Sequence, residues 1–268
     1  MSVHPTARVH ASAVVEPGAV IGEGVEVGPF ALVGPEVVLG AGVVVKSHAV
    51  VTGWTEIGDG TVIFPFATVG EIPQDLKFKG ERTRLIMGQR CRIREGATLN
   101  TGTEGGGGIT RVGDDVLVMT GAHVGHDAQI GDRVILVNHV AIAGHCVLGD
   151  DVIVGGLSGV HQWVRIGQGA IIGAVTMVTN DVIPYGLVQG PRGELDGLNL
   201  VGLKRRGIDR AGITALRAAY QTLAQEDGSF LDRARKLAEE NDSPLVREIA
   251  DFILSKSDRS FLTPKGGR

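Results

Sequence analysis

The chain is poor in aromatic residues, at 4% of 268 positions, and has only two cysteines, Cys91 and Cys146. Two cysteines without a CxxC spacing exclude a disulfide framework and a cysteine-based zinc site, so both are expected as free thiols. With so few aromatics, a core must be built from small aliphatic side chains. Positive charge is not in excess: 26 Lys and Arg stand against 30 Asp and Glu, for a formal net charge of −4. That balance gives no electrostatic footprint for nucleic acid. No apolar run approaches the roughly 20 residues that span a bilayer. The opening MSVHPTARVHAS also lacks the basic and apolar stretches of a secretory signal, so a cytoplasmic protein without a transmembrane segment is expected. What the chain does have is glycine, 41 residues of it, and 43% hydrophobic content. This is enough for a substantial core with many tight backbone corners.

The aliphatic residues recur at every sixth position, at Val3, Val9, Val15, Ile21, Val27, Val33, Leu39, Val45, Val51, Ile57, Ile63 and Val69. A small or aliphatic residue follows four places on, as in Ala19, Val25, Ala31 and Val37, so the unit is large-x-x-x-small-x. Glycine often takes the place after the large residue, as in Gly22, Gly28 and Gly34, where a corner or a close backbone approach favours it. The repeat breaks near 71–86, returns at Met87, Ile93 and Leu99, breaks again near 105–111, and then runs from Val112 to Val178. A period of six fits neither the 3.6 of a helix nor the alternation of a long strand, which leaves short strands joined by turns. The pattern resembles the left-handed parallel β-helix, in which three hexads make one triangular coil with first and fifth places inward. The hand comes from that resemblance, because parallel crossovers are ordinarily right-handed. Cys91 and Cys146 fall on fifth places and are expected to be buried.

Past Pro184 the hexads give way to helix signals. Asp209 is placed to cap a segment through 225, with Ile213, Leu216, Ala219 and Leu223 on one face. A second helix is expected over 229–240, and Ser243-Pro244 opens a third with proline at its first turn. The expected organisation is mainly β. A β-helix occupies 1–190, with extruded loops near 71–86 and 105–111, and a C-terminal α-helical domain follows over 191–268.

Five of the eight histidines lie close together: His123, His126, His139, His145 and His161. None takes a first or fifth place, so all five face outward. A lone outward histidine is most often merely solvated. Stacking by coils of three hexads, however, sets His126 against Gly144, next to His145, and brings His161 onto the following coil. Imidazoles on adjoining coils suit proton transfer near neutral pH. They suit zinc equally well, and spacing leaves these two readings level.

Five strings separate them: GEIPQDLKFKGE at 70–81, AHVGHD at 122–127, IAGH at 142–145, GVHQW at 159–163 and GLNLVGLKRRG at 197–207. Together, and in this order, they resemble the UDP-N-acetylglucosamine O-acyltransferases, which open lipid A biosynthesis. The resemblance implies a homotrimer that moves a 3-hydroxyacyl chain from acyl carrier protein to the 3-position of UDP-N-acetylglucosamine. It implies no metal, and no cofactor beyond the carrier's phosphopantetheine arm. By the same resemblance His126 is the general base and the Gly144 backbone N–H the oxyanion donor. His123, His145, His161 and Gln162 become substrate contacts, with Asp75 and Lys77 on the first extruded loop. Asn199, Arg205 and Arg206 fall at the nucleotide and carrier end. Ala174 stands where acyl length is limited and many members carry glycine, which implies a slightly shorter groove.

Two positions depart from the pattern: Val201 stands where many members carry glutamate, and Arg192 where many carry histidine. Three other readings compete. One is the sister N-acyltransferase with an extra N-terminal domain, for which hexads that begin at Val3 leave no room. The second is a zinc hydratase, and the third a non-catalytic β-helix scaffold.

Overall fold

The structure is a computed structural model and describes residues 2–225 and 227–264; the last four positions of the expected helical domain, 265–268, lie outside it. Each hexad makes a short strand and a turn, and the pairing register shows how hexads stack. Ser2 pairs with Val20 and Val20 with Val38, in parallel, so the chain returns to the same face every 18 residues. Among the described residues the strands form three sheets of nine, eleven and nine, one for each face of a prism. One coil contributes Val20–Ile21 to the first face, Glu26–Val27 to the second and Leu32–Val33 to the third.

The interior is filled by the two repeating places. Ile21, Val27, Val33 and Leu39 from first places, and Ala19, Val25, Ala31 and Val37 from fifth places, are all 2% exposed or less. Val3 and Val9 belong to the same rows but are 37% and 40% exposed, because a neighbouring layer covers them on one side only. Further in, truncating a first-place residue such as Ile142 to alanine leaves a cavity in a packed stack, a loss of about 2–5 kcal/mol. Thr55 and Thr61 interrupt the aliphatic rows. Their hydroxyls are satisfied by the Thr52 and Gly88 carbonyls at 2.7 and 3.2 Å, which removes the penalty of burying them. Cys91 and Cys146 are buried free thiols, and burial pushes them up to about 11 and about 12.

The glycines after the large residue owe their place to close approach. A Cβ at Gly22 would stand 2.7 Å from the Leu39 carbonyl oxygen of the next coil. The corners themselves lie at the fourth place, where φ is positive even for Phe30, His48 and Phe66.

Two insertions interrupt the prism. Trp54 pairs with Arg84 and Arg84 with Ile109, offsets of 30 and 25 where a plain coil needs 18, so the loops add twelve and seven residues. Both leave at the corner between the third and first faces, after the strands Thr68–Glu71 and Thr98–Asn100. At the other end an antiparallel hairpin, Gly186–Gln189 with Glu194–Leu198, closes the second face.

Among the described residues four helices follow: α1 (Leu200–Arg205), α2 (Arg210–Ala224), α3 (Phe230–Glu240) and α4 (Pro244–Leu254). Asp209 caps α2 by accepting from Gly212 N–H, and Ser229 with Asp232 forms a capping box on α3. Their apolar stripes, including Leu216, Leu237, Ile249 and Ile253, are buried. The Tyr220 hydroxyl ties α2 to the hairpin by donating to the Leu195 carbonyl at 3.1 Å. Helix α1 is not legible from periodicity, since six residues are too few to show any.

Candidate active site

The corner that releases both loops carries, on the next three coils, Asp127, His145 and Trp163 at the fourth hexad place, with φ of 60°, 62° and 67°. Asp127 is 3% exposed. Its carboxylate accepts from Thr103 N–H at 2.9 Å, the Thr103 hydroxyl at 2.6 Å and His126 Nδ1 at 2.8 Å. An acceptor-only carboxylate fixes His126 as the tautomer protonated on Nδ1 and leaves a lone pair on Nε2. That nitrogen lies against Gly144, where a Cβ would stand 2.6 Å from it, so no larger residue fits.

Among the described residues the Gly144 N–H has no acceptor. The same holds for the N–H groups of His126 and Gln162, which take the same hexad place on the neighbouring coils. At the corner between the first and second faces, the corresponding N–H groups of Ala41, Gln89, Asp114 and Asp132 each donate to an aspartate of the next coil at 2.8–2.9 Å. The corner at Gly144 therefore offers a free donor, and Nε2 of His126 lies beside it.

His145 stacks on Trp163 with ring centroids 3.8 Å apart and planes 6° apart, and meets His126 edge-on at 4.8 Å. Burial holds the His145 imidazole below the usual range; Asp127 opposes this and His126 adds to it. Burial, with the neighbouring His126, also lowers His123, whose Nδ1 is 2.8 Å from the Thr98 hydroxyl.

His123, His126, Gly144, His161 and Gln162 line one cavity of about 350 Å³. Its floor is the third-face row His123, Ala141, Gly159 and Met177. Asp75, Lys77 and His145 line a second cavity with Thr103, Glu104 and Trp163. The Asp75 carboxylate accepts from Lys77 N–H at 3.0 Å and shapes the loop, while the Lys77 side chain is exposed. His139 is exposed and lines neither.

Asn199, Arg205 and Arg206 are not brought to these cavities. They line a groove on the second face with Arg133, Asp151 and Val201. Asn199 is buried as the cap of α1: it accepts from Gly202 N–H and donates to the Gly169 carbonyl, both at 2.9 Å. Arg206 faces the Tyr185 ring at 5.2 Å and Asp151 at 3.9 Å. Ala174 is exposed on the last coil, three residues before Met177, and lines neither cavity. Arg192 bridges Met177 through the backbone, so the two departing positions, Val201 and Arg192, sit on different faces.

Sequence reasoning assigns no task to Thr103, Thr110 or Trp163. Thr110 accepts from Asp127 N–H at 2.8 Å. The signal for Thr103 is the glycine-rich second loop. A Cβ at Gly102 would stand 2.7 Å from the Asp127 carboxylate and one at Gly106 would overlap it, so only glycine lets this loop wrap the acid.

His126, Asp127 and His145 offer ligand atoms within 4.8 Å of one another, close enough for a cation. The carboxylate is already occupied by Thr103 and His126, however, and a metal at that centre must displace those hydrogen bonds. Without a metal the arrangement is an imidazole oriented by a buried carboxylate, the form a general base takes.

Stacked hexads with a carboxylate-oriented histidine at a coil corner place the chain among the hexapeptide-repeat proteins. Residues 18–53 and 109–144 match the family model described as bacterial transferase hexapeptide, and 181–262 match the second domain of UDP-N-acetylglucosamine O-acyltransferase. A relative from Paracoccus denitrificans, named acyl-acyl-carrier-protein–UDP-N-acetylglucosamine O-acyltransferase, is 70% identical over 203 residues, 76% of this chain and 77% of that one. A Rhizobium johnstonii relative of the same name is 49% identical over 227 residues, 84% of each. The solved UDP-N-acetylglucosamine acyltransferase from Campylobacter jejuni superposes with a TM-score of 0.90 at 37% identity, covering 95% of this chain and 99% of that one. The chain belongs to the UDP-N-acetylglucosamine O-acyltransferases, and its fold is the left-handed parallel β-helix of hexapeptide repeats with a C-terminal helical domain.

Proposed function

We propose that the chain transfers a 3-hydroxyacyl group from acyl carrier protein to the 3-hydroxyl of UDP-N-acetylglucosamine, the opening step of lipid A biosynthesis. The relatives' names supply the donor and acceptor. The observation that carries the chemistry is the lone pair of His126 Nε2 beside the unpaired Gly144 N–H. His126 Nε2 takes the proton of the sugar hydroxyl as its oxygen attacks the thioester carbonyl carbon. The oxyanion that forms accepts from Gly144 N–H. Collapse breaks the C–S bond, and His126 returns its proton to the departing pantetheine sulfur. Asp127 keeps the imidazole in its working tautomer and stabilises it while charged. The scheme needs no metal, and its only carrier group is the donor's pantetheine arm. His123, His145, His161, Gln162, Asp75 and Lys77 hold substrate around the base.

Asn199, Arg205 and Arg206 have a part in this only if another copy supplies them. The histidine cavity is on the third face and the basic groove on the second, so a three-fold ring that sets one chain's second face against the next chain's third face completes each site from two chains. Guanidinium groups then reach the nucleotide phosphates.

Purified protein given UDP-N-acetylglucosamine, its 3-amino analogue and a series of acyl carrier thioesters tests the reaction. The expected product is the 3-O-acyl sugar nucleotide; acylation of the amino analogue alone overturns the reading. Mixing a His126→Ala chain with an Arg206→Ala chain tests the shared site. Random trimers regain about one quarter of the sites if the two residues come from different copies, and none if they act within one.

A further inference from the structure

The C-terminal segment after α4 folds back as a strap onto the corner that carries His145 and Trp163. It is anchored at Asp181, which is fully buried and pairs with Arg165 at 2.7 Å. The Ser257 hydroxyl donates to the Asp181 carboxylate at 2.6 Å, Asp181 N–H donates to the Ser260 carbonyl at 2.8 Å, and Leu262 N–H donates to the Asp181 carbonyl at 2.8 Å. So held, the strap aims one side chain at two residues that line the cavity, His161 and Gln162. Arg259 Nε donates to the Gln162 carbonyl at 3.0 Å, and its terminal nitrogen lies 2.5 Å from His161 Nδ1.

A guanidinium group can only donate, so the proton in the Arg259–His161 contact belongs to the arginine and His161 Nδ1 is the acceptor. The Gln162 carbonyl also stands 3.3 Å from Nδ1, but it already accepts from Arg259 Nε. The imidazole proton is therefore on Nε2, which has no hydrogen-bond partner among the described residues, in a ring that lines the cavity with His123 and His126. His126 carries the opposite tautomer, protonated on Nδ1. The two histidines are set to opposite tasks by their partners, one to accept and one to donate.

We propose that Arg259 is a positioning residue of the active site: it fixes His161 as a hydrogen-bond donor through Nε2 toward an acceptor oxygen of the bound substrate. This rests on the reading of His161 as a substrate contact. The arginine stands far outside the repeat, and the strap makes the helical domain part of the site.

Histidine-¹⁵N spectra of the free protein, above the imidazole titration range, test the tautomer without reference to activity. The His161 resonance is identified by its loss in H161Q. Wild type is expected to show Nδ1 unprotonated and Nε2 protonated, and R259A a mixture of both forms. In kinetics R259A is expected to raise KM about tenfold with kcat near wild type, the usual size and form for losing an orienting partner. R259K, which still donates, recovers part of the loss, and H161A/R259A is no worse than H161A alone. S257A loosens the strap without touching His161 and is expected to relax the tautomer preference less than R259A does. An unchanged His161 spectrum in R259A, losses that multiply in the double variant, or an S257A defect equal to that of R259A with the tautomer intact would each overturn the proposal. Wild-type kinetics in H161A would instead remove the reading of His161 as a substrate contact, leaving the tautomer result to stand on its own spectrum.

Discussion

Asp127 Oδ2 stands 2.8 Å from Nδ1 of the adjacent His126, an arrangement made possible by the left-handed corner at Asp127, where φ is 60°. Such a backbone costs of order 1 kcal/mol or more and persists because the stacked coils over-determine it. Asp127→Asn keeps the shape but offers an amide that can donate to Nδ1 and trap the wrong tautomer. We expect kcat to fall by about 10² or more with the melting temperature little changed. Steady-state kinetics beside a thermal melt check this.

Gly106→Ala tests the loop's part in holding that acid. A Cβ there overlaps the Asp127 carboxyl group, whereas one at Gly105 meets nothing within 4 Å. The expected outcome is a loss in kcat approaching that of the Asp127 variant for Gly106→Ala and near-wild-type turnover for Gly105→Ala. The two alanine variants, one residue apart, are to be assayed together.

The depressed imidazoles of His123 and His145 predict acid sensitivity of the fold. Unfolded histidine binds its proton at about pH 6.5. The folded groups resist protonation until lower pH, so the unfolded chain binds more protons in the window between, and stability falls as pH drops through it. Above that window the two groups contribute no slope. Denaturant melts across pH 5 to 8 are expected to show this, and His123→Gln to flatten the slope below about 6.5.

Ala174→Met is expected to shift the preference toward a shorter hydroxyacyl donor. The residue is exposed on the last coil, three places before Met177, which ends the row of His123, Ala141 and Gly159. Each methylene of the acyl chain that the longer side chain keeps out of the groove is worth about 0.8 kcal/mol, roughly fourfold in preference. A chain-length profile with a series of acyl carrier thioesters measures it.

The prism is legible in the sequence because its rule is local. One large and one small side chain every six residues is a packing requirement met at each coil, and Ile21 to Val69, Met87 to Leu99 and Val112 to Val178 obey it. The histidine corner is legible in outline, since stacking by 18 sets His126 against Gly144. What spacing does not show is how turns and loops meet. Thr103 reaches Asp127 from an insertion with no period, and Arg259 reaches His161 across 98 positions. The family pattern places Asn199 among the ligand contacts, while its visible task is capping α1 and bonding the Gly169 carbonyl. A capping side chain and a binding one look alike in sequence.

The most direct measurement compares His126→Ala with His139→Ala. Both histidines face outward on neighbouring coils, but only His126 joins the Asp127 carboxylate and the Gly144 N–H, whereas His139 is exposed at another corner. With no covalent intermediate in the scheme, attack by the sugar hydroxyl needs a base. We expect His126→Ala to lower kcat by about 10² to 10⁴, with KM for the sugar nucleotide near wild type, and His139→Ala to be nearly silent. Equal losses at the two positions, or near-full turnover without His126, would contradict the account.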